Sequence, residues 1–281
     1  MMSILANADK GFWMPEKASS VSGDVDSLFG FILWLSVFFF VLIMGLMVWF
    51  VIKYRHRKGH TAQPSPHHST KLELTWTIIP TVLVVIIFYW GFRGFLHMSV
   101  SPPDALEIQV VGRMWSWSFM YPDGTVSDEL HVPIDTPVRL ILESKDVIHS
   151  LYIPAFRVKK DAVPGRYNKF WFEPTRLGTY DVYCAEYCGT NHSTMITKVV
   201  VHDYAGYKKW LEEQANWVDR MSPVERGKEL FARAGCMQCH MMGDLGDSRT
   251  GPNLKDVFGS QVPLKEGGSV LGDENYIRES I

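Results

Sequence analysis

Two long apolar runs dominate the first third of the chain. The run Leu28–Ile52 contains no charged residue, and its length exceeds the ~20 residues that an α-helix needs to cross a bilayer. The run Trp76–Phe92 is shorter, but amphipathic residues extend it at both ends, and Glu73 and Arg93 bound it. We therefore predict a hairpin of two transmembrane helices within residues 1–97. Burial of these helices in a soluble core is the alternative, and it is weaker for the first run.

Between residues 98 and 203, short runs of β-branched and aromatic residues alternate with turn residues. These runs are Ala105–Val111, Val138–Glu143, Tyr167–Phe172, Tyr180–Tyr183 and Ile196–Val201. Short apolar runs separated by Pro, Gly, Asp or Asn are typical of an all-β sandwich or barrel. We predict a Greek-key β-sandwich, because its rigid strands can hold loop side chains at fixed positions at one end.

In the last part of the chain, apolar and aromatic residues recur at the spacing of an α-helix. In residues 204–221, Tyr204, Tyr207 and Trp210 recur at helical intervals beside charged residues, which predicts a linker helix. Ser222, followed by a proline and by Glu225, predicts a capping box that opens a further helix. We therefore assign residues 222–281 to a separate C-terminal domain.

Charge and length narrow the class of protein. The 281 residues are enough for about two domains, and a net charge of -2 argues against a nucleic-acid partner. The loop between the apolar runs is rich in basic residues, namely Lys53, Arg55, Arg57, Lys58 and Lys71. By the positive-inside rule this loop is cytoplasmic. We expect a protein of the bacterial inner (plasma) membrane, with its N terminus and metal domains on the periplasmic or outer side, and with the first helix acting as an uncleaved signal anchor.

Four potential soft-metal ligands lie within the stretch CAEYCGTNHSTM. They are Cys184, Cys188, His192 and Met195. A disulfide or half of a zinc site would occupy the two cysteines, but neither explains the histidine and the methionine. Thiolate, imidazole and thioether together favour copper. Two cysteines on one loop could bridge two copper ions, and each ion would then need a histidine of its own.

The second histidine is expected at a strand end upstream. His149 directly follows the apolar run Val138–Glu143 and precedes another apolar segment. The motifs DVIHS, DAVPGR and CAEYCGTNHSTM together resemble the CuA domain of cytochrome c oxidase subunit II. This resemblance covers the chain from the first helix to about Val201, and it implies a cupredoxin-like sandwich. Asp146 and Ser150 are candidates for hydrogen bonds that fix the histidine rings.

The resemblance also implies a role for each residue of the site. The implied copper ligands are His149, Cys184, Glu186, Cys188, His192 and Met195. The two cysteines would bridge the copper pair, and each histidine would bind one ion. The methionine would be a weak ligand to one ion and the backbone carbonyl of Glu186 would serve the other, while the Glu186 side chain would reach a magnesium ion at the boundary with subunit I. Trp115 would lie above the pair and receive the incoming electron.

A second cofactor motif lies in the C-terminal domain. The run CMQCH has the form C-x-x-C-H, through which c-type haem is attached: Cys236 and Cys239 would add to the vinyl groups, and His240 would coordinate iron. A redox C-x-x-C pair and half of a zinc site are the alternatives.

The residues after this motif resemble class I cytochrome c, an all-α fold. The run TGPNL, residues 250–254, follows the C-x-x-C-H motif at a distance similar to that in class I cytochrome c. The resemblance implies that the Pro252 carbonyl accepts the second ring N–H of His240. The family takes its sixth iron ligand from a methionine farther along, so we expect the domain to be partial, with the chain truncated at Ile281.

Together these features predict subunit II of a haem-copper terminal oxidase. Electrons would pass from the fused haem c through the CuA centre to haem in subunit I, where oxygen is reduced to water with proton translocation. The expected partners are subunit I and other oxidase subunits, cytochrome c or a bc-type complex as donor, and membrane lipid. Glu73 matches a family position at the mouth of a proton channel. A CuA-containing nitric oxide reductase subunit and a free-standing membrane-tethered copper and haem carrier are the alternatives.

Overall fold

Two long helices open the structure, a computed structural model that describes residues 14–59, 66–215, 221–233, 236–243, 251–265 and 267–280. Helix α1 spans Ser22–Tyr54 and helix α2 spans Thr70–Ser99. Each contains an apolar stretch long enough to cross a bilayer, and none of that stretch is buried within the chain. Such surfaces are stable when lipid covers them. The predicted helix hairpin is confirmed, and each helix extends beyond its apolar run.

Ten strands follow the helices and form two five-stranded sheets. They are β1 (Leu106–Arg113), β2 (Ser116–Met120), β3 (Val126–Ser127), β4 (Leu130–Pro133), β5 (Val138–Ser144), β6 (His149–Ile153), β7 (Val158–Ala162), β8 (Asn168–Phe172), β9 (Gly178–Cys184) and β10 (Ile196–His202). One sheet has the order β3-β2-β1-β5-β8 and the other β4-β10-β9-β6-β7. The predicted sandwich is confirmed. Strands β2, β3, β4, β6 and β7 were not among the runs that the apolar pattern predicted.

The core of the sandwich lies between the two sheets. Side chains alternate along β5, where Val138, Leu140 and Leu142 are fully buried, as expected for a strand with one face inward. On β2, Trp117 and Phe119 are buried in the same core. The alternating tryptophan and phenylalanine of this strand therefore stabilise the fold by apolar burial.

The start of α1 and the end of α2 are fixed to the sandwich. Ser22 Oγ donates to the Ala155 carbonyl at 3.1 Å. Arg157 is 4% exposed at its side chain and pairs with Asp26 through Nε–Oδ1 at 2.7 Å and Nη2–Oδ2 at 3.0 Å. At the end of α2, Trp171 Nε1 donates to the His97 carbonyl at 3.1 Å. These contacts hold the two helices at separate points on one domain.

Helix α3 (Tyr204–Ala215) packs against the edge of the sandwich through aromatic contacts. The Trp210 ring stacks on the His131 ring, with centroids 4.1 Å apart and an interplanar angle of 11°. His131 Nδ1 and His202 Nε2 share a hydrogen bond of 2.8 Å. Helix α3 covers Tyr204–Ala215 of the predicted linker helix 204–221, and residues 216–220 lie outside the described residues. Two histidines that were not predicted to meet form part of its docking surface.

This histidine pair makes the fold sensitive to acid. Burial, and secondarily the neighbouring His202, lower the pKa of His131 from 6.5 to about 4. The unfolded chain therefore takes up the proton first, so stability present above pH 6.5 is lost as the pH falls toward about 4. We expect a loss of up to about 3 kcal/mol from this residue. Denaturant unfolding of the full chain in detergent, followed by tryptophan fluorescence at neutral and acid pH, measures it.

Two variants separate this contribution from those of other histidines. His131→Phe keeps a flat ring beside Trp210 and should reduce the acid sensitivity. His67→Gln, in an exposed loop, should leave it unchanged. Equal acid sensitivity in both variants would show that the pair does not carry the effect.

The C-terminal part of the chain combines short helices with a small sheet. Helix α4 spans Pro223–Arg233, strands β11 (Gln261–Pro263) and β12 (Ser269–Leu271) pair antiparallel, and helix α5 spans Glu274–Ser280. The predicted capping box is confirmed, because the Ser222 N–H donates to Glu225 Oε2 at 3.0 Å and the Glu225 N–H donates to Ser222 Oγ at 3.3 Å. The strand pair departs from the expected all-α content. Gly267 and Gly268, both at positive φ, allow the chain to turn between the strands.

Candidate metal centre

Neighbouring strands bring the predicted metal ligands together at one end of the sandwich. Cys184 ends β9, and His149 begins the adjacent strand β6, which pairs with β9 at Leu151 and Cys184. The loop from β9 to β10 carries Cys188, His192 and Met195. His149, Cys184 and Cys188 form a buried cluster whose ligand atoms all lie within 4.8 Å of one another.

The two sulfur atoms occupy nearly equivalent positions in this cluster. Cys184 Sγ and Cys188 Sγ are 3.8 Å apart, well beyond the about 2.05 Å of a disulfide bond. Cys184 Sγ lies 4.0 Å from His149 Nδ1, and Cys188 Sγ lies 3.5 Å from His192 Nδ1. Each sulfur therefore has its own imidazole nitrogen.

A weaker donor accompanies each sulfur. Met195 Sδ lies 3.8 Å from Cys188 Sγ, and the Glu186 carbonyl oxygen lies 3.2 Å from Cys184 Sγ. The Met195 side chain is fully buried. Two shared sulfurs, two imidazoles, one thioether and one carbonyl are a donor set that fits a pair of soft metal ions.

The two thiols differ in their acidity. Burial raises the pKa of Cys184, but hydrogen bonds with His149 and with the backbone at Ser150 outweigh it and bring the pKa to about 6. Burial, together with the negative charge on Cys184, raises the pKa of Cys188 to about 12. Two ionised thiols at this distance repel each other, so a bound cation is needed to hold both as thiolates.

Asp146 orients the buried histidine of the cluster. Its Oδ1 lies 2.7 Å from His149 Nε2, which leaves Nδ1 facing Cys184. Asp146 Oδ2 also accepts the Met114 N–H at 2.6 Å. Burial raises the pKa of Asp146, but the Met114 N–H and His149 outweigh it, and the pKa is lowered overall. Ser150 was the other candidate for a hydrogen bond to a histidine ring, but its Oγ instead donates to Asp161 Oδ1 at 2.7 Å.

Trp115 covers the ligand loop. Its side chain is 7% exposed, and Nε1 donates to the Cys188 carbonyl at 3.3 Å. The ring lies against Gly189, where an added Cβ would be 3.3 Å from the indole and where φ is +119°. Glycine is the residue that tolerates this backbone conformation. Gly189 was not predicted from the sequence as a site residue, although its position directly after Cys188 was a usable signal.

A second glycine, also missed from sequence, makes room for His149. A Cβ at Gly112 would lie 3.1 Å from His149 Cδ2 and 3.0 Å from Trp117 Cζ3. Trp117 packs edge-on against the His149 ring, with centroids 5.9 Å apart. The imidazole is therefore fixed by packing as well as by hydrogen bonding.

The residues of the C-x-x-C-H motif lie outside this cluster. The His240 N–H donates to the Cys236 carbonyl at 2.9 Å, which closes a tight turn. His240 Nδ1 lies 2.9 Å from the Pro252 carbonyl, so Nε2 remains available to a ligand. A Cβ at Gly251 would approach His240 Cε1 to 2.6 Å. Thr250 of the TGPNL run lies outside the described residues.

Glu73 lies in the first turn of α2, at the end of that helix far from the sandwich. Its Oε1 accepts the Ser69 N–H at 3.2 Å, which satisfies a backbone donor before the helix begins. The structure therefore places Glu73 apart from the metal ligands.

The fold and the site together define a membrane-anchored, cupredoxin-like protein that contains a buried cluster of cysteine, histidine and methionine side chains. Residues 7–93 match the family model "Cytochrome C oxidase subunit II, transmembrane domain", and residues 124–203 match the model of the periplasmic domain of the same subunit. The chain belongs to the cytochrome c oxidase subunit II family. It is therefore a component of a haem-copper oxidase and associates with subunit I.

Several known proteins are similar to this chain. An alternative cytochrome c oxidase subunit 2 from Bradyrhizobium diazoefficiens is 31% identical over 244 residues, covering 75% of this chain and 87% of the relative. Cytochrome c oxidase subunit 2 from Thermostichus vulcanus is 31% identical over 252 residues, covering 70% and 77%. The crystal structure of the periplasmic domain of subunit II from Bradyrhizobium japonicum is 31% identical, with a TM-score of 0.40, and the match covers 42% of this chain and 98% of that one.

Proposed function

We propose that this subunit accepts electrons for the oxidase through a binuclear CuA centre held by the cluster at the end of β9. The observation that carries the proposal is the arrangement of two sulfurs 3.8 Å apart, each with its own imidazole nitrogen. A copper pair bound there would share one unpaired electron and would supply electron transfer with little change in bond lengths. The protein contributes rigidity, because strand pairing, Asp146 and Trp117 fix the ligands before metal binds.

Trp115 is the proposed electron-accepting residue. Its indole packs over the ligand loop and is joined to it by the hydrogen bond to the Cys188 carbonyl. An electron donor that docks over this residue would therefore have a short route through the Cys188 carbonyl to the sulfur atom of that residue.

The C-x-x-C-H segment supports a proposed haem c as internal donor. Cys236 and Cys239 would attach the group and His240 Nε2 would bind its iron, while Pro252 holds Nδ1. This segment lies outside both ranges matched by the family models. The proposal therefore rests on the motif and on the contact between His240 and Pro252.

Several further roles belong to the same proposal. The sandwich and the N terminus would lie on the periplasmic side, because the basic loop favours the cytoplasm. The exposed Glu186 side chain would reach a magnesium ion at the boundary with subunit I. Glu73 would lead protons toward subunit I during oxygen reduction and proton translocation, and cytochrome c or a bc-type complex would supply the electrons.

Electron paramagnetic resonance of the oxidised, copper-loaded full chain tests the proposed centre. We expect hyperfine structure from one electron shared equally by two coppers. A signal from a single copper would overturn the binuclear assignment. Oxygen consumption by the purified complex, measured beside nitric oxide consumption, tests the terminal reaction.

Replacing Asp146 by asparagine should weaken copper binding. Partners of this kind typically contribute about 10- to 100-fold in metal affinity, and Asp146 is the carboxylate bonded to His149. Competition with a copper chelator measures the change. Asp161→Asn is the matched control, because that carboxylate bonds to Ser150 and to no ligand ring. Equal losses of affinity in both variants would remove Asp146 from this role.

A further inference from the structure

The helix hairpin contains a cleft of about 1000 Å³ beside the sandwich. It lies between the first turns of α1 and the last turns of α2. The two helices are held there by different contacts, α1 through Asp26 and Arg157 and α2 through His97 and Trp171. The cleft is therefore a preformed feature of the fold.

The charged side chains that line the cleft lie toward one end, where Val21 and Met98 also line it, and the rest of the lining is mainly apolar or aromatic. Asp24, Arg93 and His97 line the end nearest the sandwich, and Leu28, Ile32 and Ile86 line the deeper part. This gradient matches the change from headgroups to hydrocarbon in one leaflet of a bilayer. Tyr89 and Trp90 also line the cleft, and such aromatic residues are frequent at the membrane interface.

The length of the cleft corresponds to one leaflet. From Asp24 to Ile32 along α1 the rise is about 12 Å, and from Ile86 to His97 along α2 it is about 16 Å. Half of the hydrocarbon core of a bilayer is about 15 Å thick. A transmembrane helix of a partner would need a groove along the whole hairpin, whereas an acyl chain needs only this depth.

Two opposite charges at the mouth are available to a ligand. Within the described ranges of the chain, neither the Asp24 side chain nor the Arg93 side chain takes part in a hydrogen bond or an ion pair, and both residues are exposed. A guanidinium binds phosphate with two parallel hydrogen bonds. The Asp24 carboxylate complements an ammonium group.

We propose that this cleft binds a phospholipid with a phosphate and an ammonium group in its head, of the phosphatidylethanolamine type. The phosphate lies on Arg93, the ammonium lies near Asp24, and an acyl chain fills the apolar part between α1 and α2. The lipid comes from the leaflet on the side of the sandwich.

Native mass spectrometry of the full chain, released from nanodiscs containing phosphatidylethanolamine, phosphatidylcholine and phosphatidylglycerol, tests the proposal. We expect one retained phosphatidylethanolamine, with a several-fold loss of retention in Arg93→Gln. Lys71→Gln is the matched control, because Lys71 is an exposed cation at the other end of α2. Gly94→Leu should abolish retention, since Gly94 lines the cleft and a Cβ there meets open space.

Several results would overturn the proposal. Equal retention in Arg93→Gln and Lys71→Gln would show that Arg93 does not bind the headgroup. Retention in Gly94→Leu would place the lipid elsewhere, and a preference for phosphatidylglycerol would contradict the role of Asp24. Loss of the lipid from the purified oxidase complex would show that a neighbouring subunit fills the cleft.

Discussion

Replacing Cys188 by serine is expected to abolish the binuclear copper centre. Cys188 Sγ lies within 3.8 Å of Cys184 Sγ, His192 Nδ1 and Met195 Sδ, so it joins the other sulfur to an imidazole and a thioether. A serine hydroxyl is a hard oxygen donor, and it cannot replace a bridging thiolate between soft ions. Metal analysis should show one copper or none per chain, and the shared-electron signal should disappear.

The Cys188→Ser substitution should slow electron transfer more than a substitution of any residue that surrounds the ligands. Removing a hydrogen-bond partner of a metal ligand typically lowers metal affinity or activity by about 10- to 100-fold. Removing a bridging ligand should lower the rate of electron transfer by more than that. Rapid-mixing measurements of subunit I reduction in the purified complex test this expectation. A Cys188→Ser chain that keeps two coppers with a shared electron would falsify the bridging role.

Replacing Cys239 by serine is expected to alter the haem and leave the copper intact. One of the two thioether bonds would be lost, so one vinyl group would stay conjugated with the porphyrin. The reduced pyridine haemochrome should therefore shift to longer wavelength, and the amount of covalently bound haem should fall severalfold. The copper signal should be unchanged, because the motif lies outside the metal cluster.

The two cysteine variants are controls for each other. Cys188→Ser should retain a normal haemochrome, and Cys239→Ser should retain both coppers. A wild-type chain without covalent haem would remove the haem proposal while leaving the copper proposal untouched. An unchanged haemochrome in Cys239→Ser would remove only the attachment role of that residue.

Local sequence patterns determined the elements of this protein. The apolar runs at Leu28–Ile52 and Trp76–Phe92 predicted α1 and α2, since the length of a membrane helix is set by the bilayer. The alternating run Val138–Glu143 predicted β5, and Ser222 with Glu225 predicted the start of α4. The spacing of ligands within Cys184–Met195 likewise predicted a metal loop, because that chemistry is contained in a dozen consecutive residues.

Strands without a clear alternation of apolar and polar residues were not predicted from the sequence. The β6 segment is buried at nearly every position and therefore lacks alternation, and β7 exposes three consecutive charged residues between buried ends. A period of two is visible only when one face of a strand is buried and the other is exposed. The arrangement of these strands nevertheless brings His149 to the copper loop.

Only the tertiary structure decided which distant residues meet. His149 and Cys184 are 35 residues apart in sequence, Trp115 and Cys188 are 73 apart, and Asp26 and Arg157 are 131 apart. Each contact depends on strand order, register or the docking of a helix, which no local period encodes. The sequence thus determined the helices, many of the strands and the ligand types, whereas long-range packing determined the geometry of the metal site and created the cleft between α1 and α2.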